Sequence, residues 1–236
     1  MGGFEMKEIL AKNIKDGYLI LPELEAHKVC DAYGIKCPPT RFVTNKEQCI
    51  EEGNKIGYPV VIKIFSKQII HKSDAGGVVV GIMDAEHLAE AYDNMLATVK
   101  GKYLDAAIEG VFVQKMMGKG IETIIGGFKD PQFGPVIMFG MGGIYVEIFK
   151  DTSFRLAPVD KEEARRQIEQ TKVYKILQGV RGEQPCDIDA LAEAVVNAAN
   201  LLVSYDEIKE IDLNPVICYT NGCVAVDSRI VLDAVE

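Results

Sequence analysis

Lys63 interrupts an apolar run, Pro59-Val60-Val61-Ile62-Lys63-Ile64. A lysine buried in a sheet is costly unless it meets an anion. The residues that follow supply what an anion needs: a loop with Lys67, His71, Lys72, Ser73, Asp74, Ala75, Gly76 and Gly77, and then a second apolar run, Val78-Val79-Val80-Gly81-Ile82. Glycines let backbone N–H groups come close to an anion, and Lys63 and Lys72 bring charge. The stretch therefore reads as a strand-loop-strand lid over phosphate, with an ordinary polar-tipped hairpin as the alternative. A second group is acidic: Glu210-Ile211-Asp212-Leu213-Asn214-Pro215, then Val224-Ala225-Val226-Asp227-Ser228-Arg229. On a strand Asp212 and Asn214 share one face, and the Asn221-Gly222 turn is expected to fold Asp227 back beside them. Two carboxylates and an amide oxygen suit Mg²⁺; polar strand-end residues are the alternative. A third group is Gln114-Lys115-Met116-Met117 with Glu122, a strand edge for an adenine and a carboxylate for ribose hydroxyls, or simply core methionines. Phe139-Gly140-Met141-Gly142-Gly143 is a flexible loop near the same crevice, or only a turn.

The elements that must position these groups follow from periodicity and end signals. Helices are predicted over Glu5–Asp16, Glu23–Tyr33 (Pro22 in its first turn, Gly34 at its stop), Thr44–Ile56 (opened by a capping box, Thr44-Asn45-Lys46-Glu47) and Ala85–Lys100 (capped by Asp84). Two more open at Asp160-Lys161-Glu162-Glu163 and Asp187. Strands are expected at Thr40–Val43, at the two runs flanking the loop, and at Val111–Met117, Ile121–Phe128, Val136–Phe139 and Phe154–Ala157. Further strands fall at Ile208–Leu213, Val216–Tyr219 and Cys223–Asp227. His27 and His87 read as ordinary helix residues, and Gly179-Val180-Arg181-Gly182 as a loop. Three segments result: a helical 1–21, a first lobe 22–109 and a second lobe 110–236, the lobes meeting across a crevice.

The totals limit the function classes. The 236 residues are 48% hydrophobic and 26% charged, with net charge −9. That acidity argues against a nucleic-acid footprint, so an anionic ligand must meet locally concentrated lysines. No apolar run reaches membrane-spanning length, and Met1–Lys7 has no signal-peptide core, so no membrane partner is expected. Six cysteines lack zinc spacing and have apolar neighbours, which reads as buried thiols in a reducing cytoplasm. The P-loop and Rossmann glycine signatures are absent.

Together the lysine strand, the K-S-D-A-G-G-V loop, the hinge, and E-I-D-L-N-P with a downstream V-D-S-R resemble the ATP-grasp fold. More closely they are similar to the ATP-grasp subunit of ADP-forming acetyl-CoA synthetases, over nearly the whole chain. The resemblance implies an α+β fold of two lobes with nucleotide between them, using ATP/ADP and Mg²⁺. It implies Lys63, Lys72, Ser73, Asp74, Ala75, Gly76, Gly77, Gln114, Lys115, Met117 and Glu122 around the nucleotide. Arg155 on phosphate follows by the same analogy, and Asp212, Asn214 and Asp227 on the metal. Succinyl-CoA synthetase β subunits carry E-I-N-P where this chain has Asp212-Leu213-Asn214-Pro215, so the metal role of Asp212 is less direct than that of the other two. The partner implied is a CoA-binding α subunit, in an α2β2 heterotetramer. The chemistry implied is a phosphoryl relay through histidine, with His71 as the carrier on this chain; a neutral imidazole is a usable nucleophile near pH 7. A succinyl-CoA synthetase-type subunit or other ATP-grasp ligase, and a non-catalytic nucleotide-binding module, are the rival readings.

Overall fold

The computed structural model describes residues 3–69, 71–143, 151–180 and 182–233. In chain order its elements are α1 (Gly3–Lys15), α2 (Glu23–Ala32), β1 (Thr40–Val43), α3 (Lys46–Ile56), β2 (Val60–Phe65), β3 (Val78–Ile82), α4 (Ala85–Lys102), β4 (Gly110–Lys115), β5 (Ile121–Asp130), β6 (Gly134–Met141), β7 (Thr152–Leu156), α5 (Lys161–Glu169), α6 (Tyr174–Leu177), α7 (Ile188–Ser204), β8 (Ile208–Tyr219), β9 (Gly222–Ala225) and β10 (Ser228–Leu232). They form two compact units, Pro38–Gly118 and Met1–Cys37 with Lys119–Glu236.

The smaller unit is an antiparallel sheet in the order β1-β4-β2-β3 with α3 and α4 on one face. Alternation along the strands decides the two faces. Val60, Ile62 and Ile64 join Val111 and Val113 in a core with Leu88, Met95 and Val99 of α4. Val61, Lys63 and Phe65 therefore point to the other face, with Gln114, Phe112 and Gly110 directly across on β4. Asp84 caps α4 as expected, accepting from the His87 N–H at 2.9 Å. The capping box of α3 is shifted by one residue from expectation. Asn45 is the cap, accepting from Gln48 N–H, and the Gln48 side chain accepts from Thr44 N–H at 3.0 Å.

In the larger unit the sheet order is β10-β8-β5-β6-β7, with β9 paired to β8. Leu191, Val195, Ala198 and Leu202 of α7 fall at helical spacing and pack on Ile125, Ile137, Phe139, Ile211 and Leu213. Met6 and Leu10 of α1 and Val29 of α2 belong to the same core. Each of the six cysteines is a free thiol. Among the described residues no helix is long and apolar enough to cross a membrane.

Three expectations need correction. The boundary anticipated at Gly110 falls after Gly118, because β4 is a central strand held by β1 and β2. Residues 22–37, assigned by sequence to the first lobe, belong to the larger unit, where α2 packs on β10. Finally, Ile208–Leu213 and Val216–Tyr219 are one strand. Thr123 pairs with Val216 and Ile125 with Leu213, so Asn214 and Pro215 together oppose Ile124. This is a bulge, a place where a proline inside a sheet is tolerated.

Candidate functional site

The smaller unit gathers the cationic residues. Lys63 lies within β2 at 6% exposure, directly across from Phe112 and Val78. Phe112 packs against Phe42 and Phe65 with ring centroids 5.4 Å apart in both pairs. The Lys72 ammonium sits 5.5 Å from the Phe112 ring centroid, in cation–π range. Lys72 thus lies on this aromatic surface, and Lys63 stands buried on the same face of the sheet. Gln114 shares that face, one pair of strand positions along, and its amide donates to Thr40 Oγ1 at 3.2 Å. His71, Ser73 and Asp74 are exposed at the loop tip, while Ala75 and Gly77 are buried at its base.

The loop differs from its anticipated form. Its N–H groups were expected to stand open for phosphate. Ala75 N–H instead donates to His71 O (3.2 Å), Gly76 N–H to Ser73 O (3.0 Å) and Gly77 N–H to Lys72 O (2.8 Å). The loop is a self-bonded turn that presents side chains rather than those three amides. Gly77 is required by close approach: a Cβ there would run into the Ile64 side chain.

The acidic residues gather in the larger unit. Ile211 and Leu213 face the helices, so Asp212 and Asn214 lie on the opposite, open face of the sheet, with Glu122 on the neighbouring strand. β10 begins at Ser228, opposite Leu213, which sets Asp227 at the level of Asn214. The return is made by the break between β9 and β10 rather than by one continuous hairpin strand. Asp212 Oδ1 is buried with no hydrogen-bond partner. Burial pushes the Asp212 carboxyl above its usual range; Arg229 across the ladder counters this, and Glu210 and Asp227 add to it. The guanidinium of Arg229 is itself bonded to Glu210 at 3.1 Å. A buried carboxylate short of a partner, with a second carboxylate and an amide oxygen beside it, is a donor set that fits a hard divalent cation. Among the described residues no three or more His, Cys, Asp or Glu side chains gather as a metal-binding group, so the amide oxygen is essential to that fit.

Other anticipated residues are engaged elsewhere. Arg155 lies across from Ile137 on the helix-covered face, opposite to that of Asp212. Its guanidinium is bonded to Glu163 and to Gln170 Oε1, and the bond from Arg155 holds the Glu163 carboxyl below the usual range. A role on phosphate is not supported by that placement. The Lys115 ammonium donates to Gly57 O (2.8 Å) and Tyr58 O (2.9 Å), and its N–H to Pro39 O. Met116 N–H donates to Pro59 O, which leaves Met117 as the first hinge residue beyond the ladder. Sequence reasoning missed the Lys115 commitments, because backbone carbonyl acceptors carry no residue-type signal.

An ATP-grasp domain profile matches residues 12–232. The chain belongs to the ATP-grasp family. It is 46% identical over 212 residues to the β subunit of acetate–CoA ligase [ADP-forming] I from Pyrococcus furiosus, covering 90% of this chain and 91% of that one. Its fold is similar to dinucleotide forming acetyl-coenzyme A synthetase 1 of Ca. Korarchaeum cryptofilum in complex with coenzyme A and Ca-AMPCP. The TM-score is 0.93 at 43% identity, covering 96% of this chain and 99% of that one. A second structure of that enzyme holds Mg-AMPPCP, with its phosphohistidine segment pointing towards the nucleotide binding site (TM-score 0.85, 40% identity, 97% of this chain and 100% of that one).

Proposed function

We propose that this chain is the β subunit of an ADP-forming acetate–CoA ligase, which converts acetyl-CoA, ADP and phosphate reversibly to acetate, CoA and ATP. It works in the cytoplasm with a CoA-binding α subunit, in an α2β2 assembly. The observation that carries the reading is a pair of charged clusters of the kind phosphoryl transfer needs. Lys63 and Lys72 converge on one face of the smaller unit, and Asp212, Asn214 and Asp227 on one face of the larger. A degenerate binding module has no need to retain both.

In the synthesis direction the acyl phosphate formed on the α subunit phosphorylates an α-subunit histidine. An imidazole nitrogen of His71 then takes the phosphoryl group, its P–N bond forming as that of the donor breaks. A terminal oxygen of ADP next attacks phosphorus, the His71 P–N bond breaks, and ATP leaves. Lys63, fixed by burial rather than held on a flexible stem, offers a preorganised positive charge to the phosphates. Lys72, Ser73 and Asp74 orient the group at the exposed tip. Gln114, Met117 and Glu122 are assigned to the nucleoside. Asp212, Asn214 and Asp227 would hold Mg²⁺, which when bound neutralises phosphate oxygens during transfer.

The test is ATP formation by the chain with its α partner, given Mg-ADP, phosphate and a panel of acyl-CoA thioesters. Acetyl-CoA as the preferred driver supports the reading. Preference for succinyl-CoA assigns the subunit to the related synthetase. Nucleotide binding without turnover on any thioester makes it a regulatory module.

A further inference from the structure

The end of β6 does not stop at its neighbour. Met141 is the last residue paired with β5, across from Thr123. Gly142 N–H then donates to Glu122 O at 3.0 Å. Gly143 N–H reaches past β5 altogether and donates to Asn214 Oδ1 on β8 at 2.9 Å. Only glycine can take this path. A Cβ on Gly142 would lie 2.8 Å from the Thr123 nitrogen, and one on Gly143 would run into the Glu122 carboxylate. Gly143 also has φ +73°, in the left-handed region.

We propose that Asn214 is a latch that fastens the Gly142–Gly143 turn across β5 to β8, with the Glu122 side chain packed against the turn. An amide oxygen has two lone pairs, so accepting the Gly143 N–H leaves one for a cation. The atom that fixes the turn is then the atom that meets the metal, and cation binding is felt at the end of β6. That coupling rests on the cation reading above; the latch itself does not. Gly142 and Gly143 are positioning residues, and Asn214 has a positioning duty besides its place in the donor set. The assignment also explains why an amide stands between two carboxylates. A carboxylate at 214 would accept the N–H equally well but would add a third negative charge to an end already short of cations.

The experiment is amide hydrogen exchange by NMR on the ¹⁵N-labelled full chain, comparing wild type with Asn214→Ala and Asn214→Asp. Loss of the latch should speed Gly143 exchange about tenfold in Asn214→Ala. Asn214→Asp should restore protection, and the ladder amides of Thr123 and Val216 should not change. Equal Gly143 exchange in wild type and Asn214→Ala overturns the latch, as does acceleration spread evenly through β5 and β8, which marks general destabilisation. A check that needs no variant is the scalar coupling across the hydrogen bond from Gly143 ¹⁵N to the Asn214 side-chain carbonyl carbon; its presence supports the latch and its absence contradicts it. Mg²⁺ titration separates the two layers. A shift of the Gly143 signal in wild type, lost in Asn214→Ala, supports the coupling. A protected Gly143 that ignores Mg²⁺ upholds the latch and removes the cation reading.

Discussion

The lysine end of the smaller unit and the acid end of the larger unit meet the same problem, charge in a sheet, in opposite ways. Lys63 is set into a strand of apolar residues, across the ladder from Phe112, whose ring packs with those of Phe42 and Phe65. The loop above it closes its own amides and leaves side chains outward. At the acid end the backbone is opened by a bulge, and Asp212 keeps an oxygen buried without a partner. One region sets its lysines on an apolar and aromatic face; the other holds a carboxylate oxygen that the protein itself leaves unbonded. Charge in a sheet can thus be accommodated in two ways, by apolar and aromatic neighbours or by a local break in the ladder.

With the α partner present, His71→Ala should lower ATP formation by about a thousandfold or more, with ADP binding retained. Acid-labile, base-stable phosphate should appear on the wild-type chain and not on the variant. Lys63→Met should cost roughly a hundredfold in kcat/KM for ADP, read by steady-state kinetics with the α partner present. Asp212→Asn should cut both ways. Burial raises the Asp212 carboxyl, so the folded chain loses stability as pH rises from the ordinary carboxyl range into the raised one. Above that range the variant should gain about 2 °C in Tm, read by calorimetry, and need more Mg²⁺ for turnover. Arg155→Ala should do least. Its ion pair with Glu163 is structural, so a Tm loss of at most about 3 °C with unchanged kcat/KM is expected. A hundredfold loss of rate there would return Arg155 to the phosphates.

How far the sequence could be read follows from what kind of interaction fixed each feature. Caps at Asp84, Asp160 and Asp187 were legible because a side-chain oxygen three residues before a free N–H is a local device. The hairpin there was legible from its turn residues, but one position off: Tyr219 pairs with Gly222, so Thr220 and Asn221 make the turn and Gly222 opens β9. The acid set could be assembled on paper because period-two alternation and one turn nearly suffice. Strand partnership was not legible: nothing local says that β4 lies between β1 and β2, and the boundary was misplaced accordingly. Pro215 misled because it marks a strand end unless a partner strand supplies a bulge, and the partner, β5, is distant in sequence. The short α6 has no side-chain cap and left no end signal in the sequence. Arg155 was placed on phosphate by the family resemblance, whereas its direction is set by the alternation that turns Ile137 toward α7.

The central claim is that Lys63 offers a standing charge and Asp227 belongs to a site completed by Mg²⁺. The direct measurement is calorimetric titration of ADP into wild type, Lys63→Met and Asp227→Asn, each with and without Mg²⁺. The account predicts that Lys63→Met weakens ADP binding by a similar factor in both conditions, and that Asp227→Asn matches wild type without Mg²⁺ but loses the increment that Mg²⁺ brings. Loss of binding in Asp227→Asn without Mg²⁺, or an undiminished Mg²⁺ increment in that variant, would contradict it.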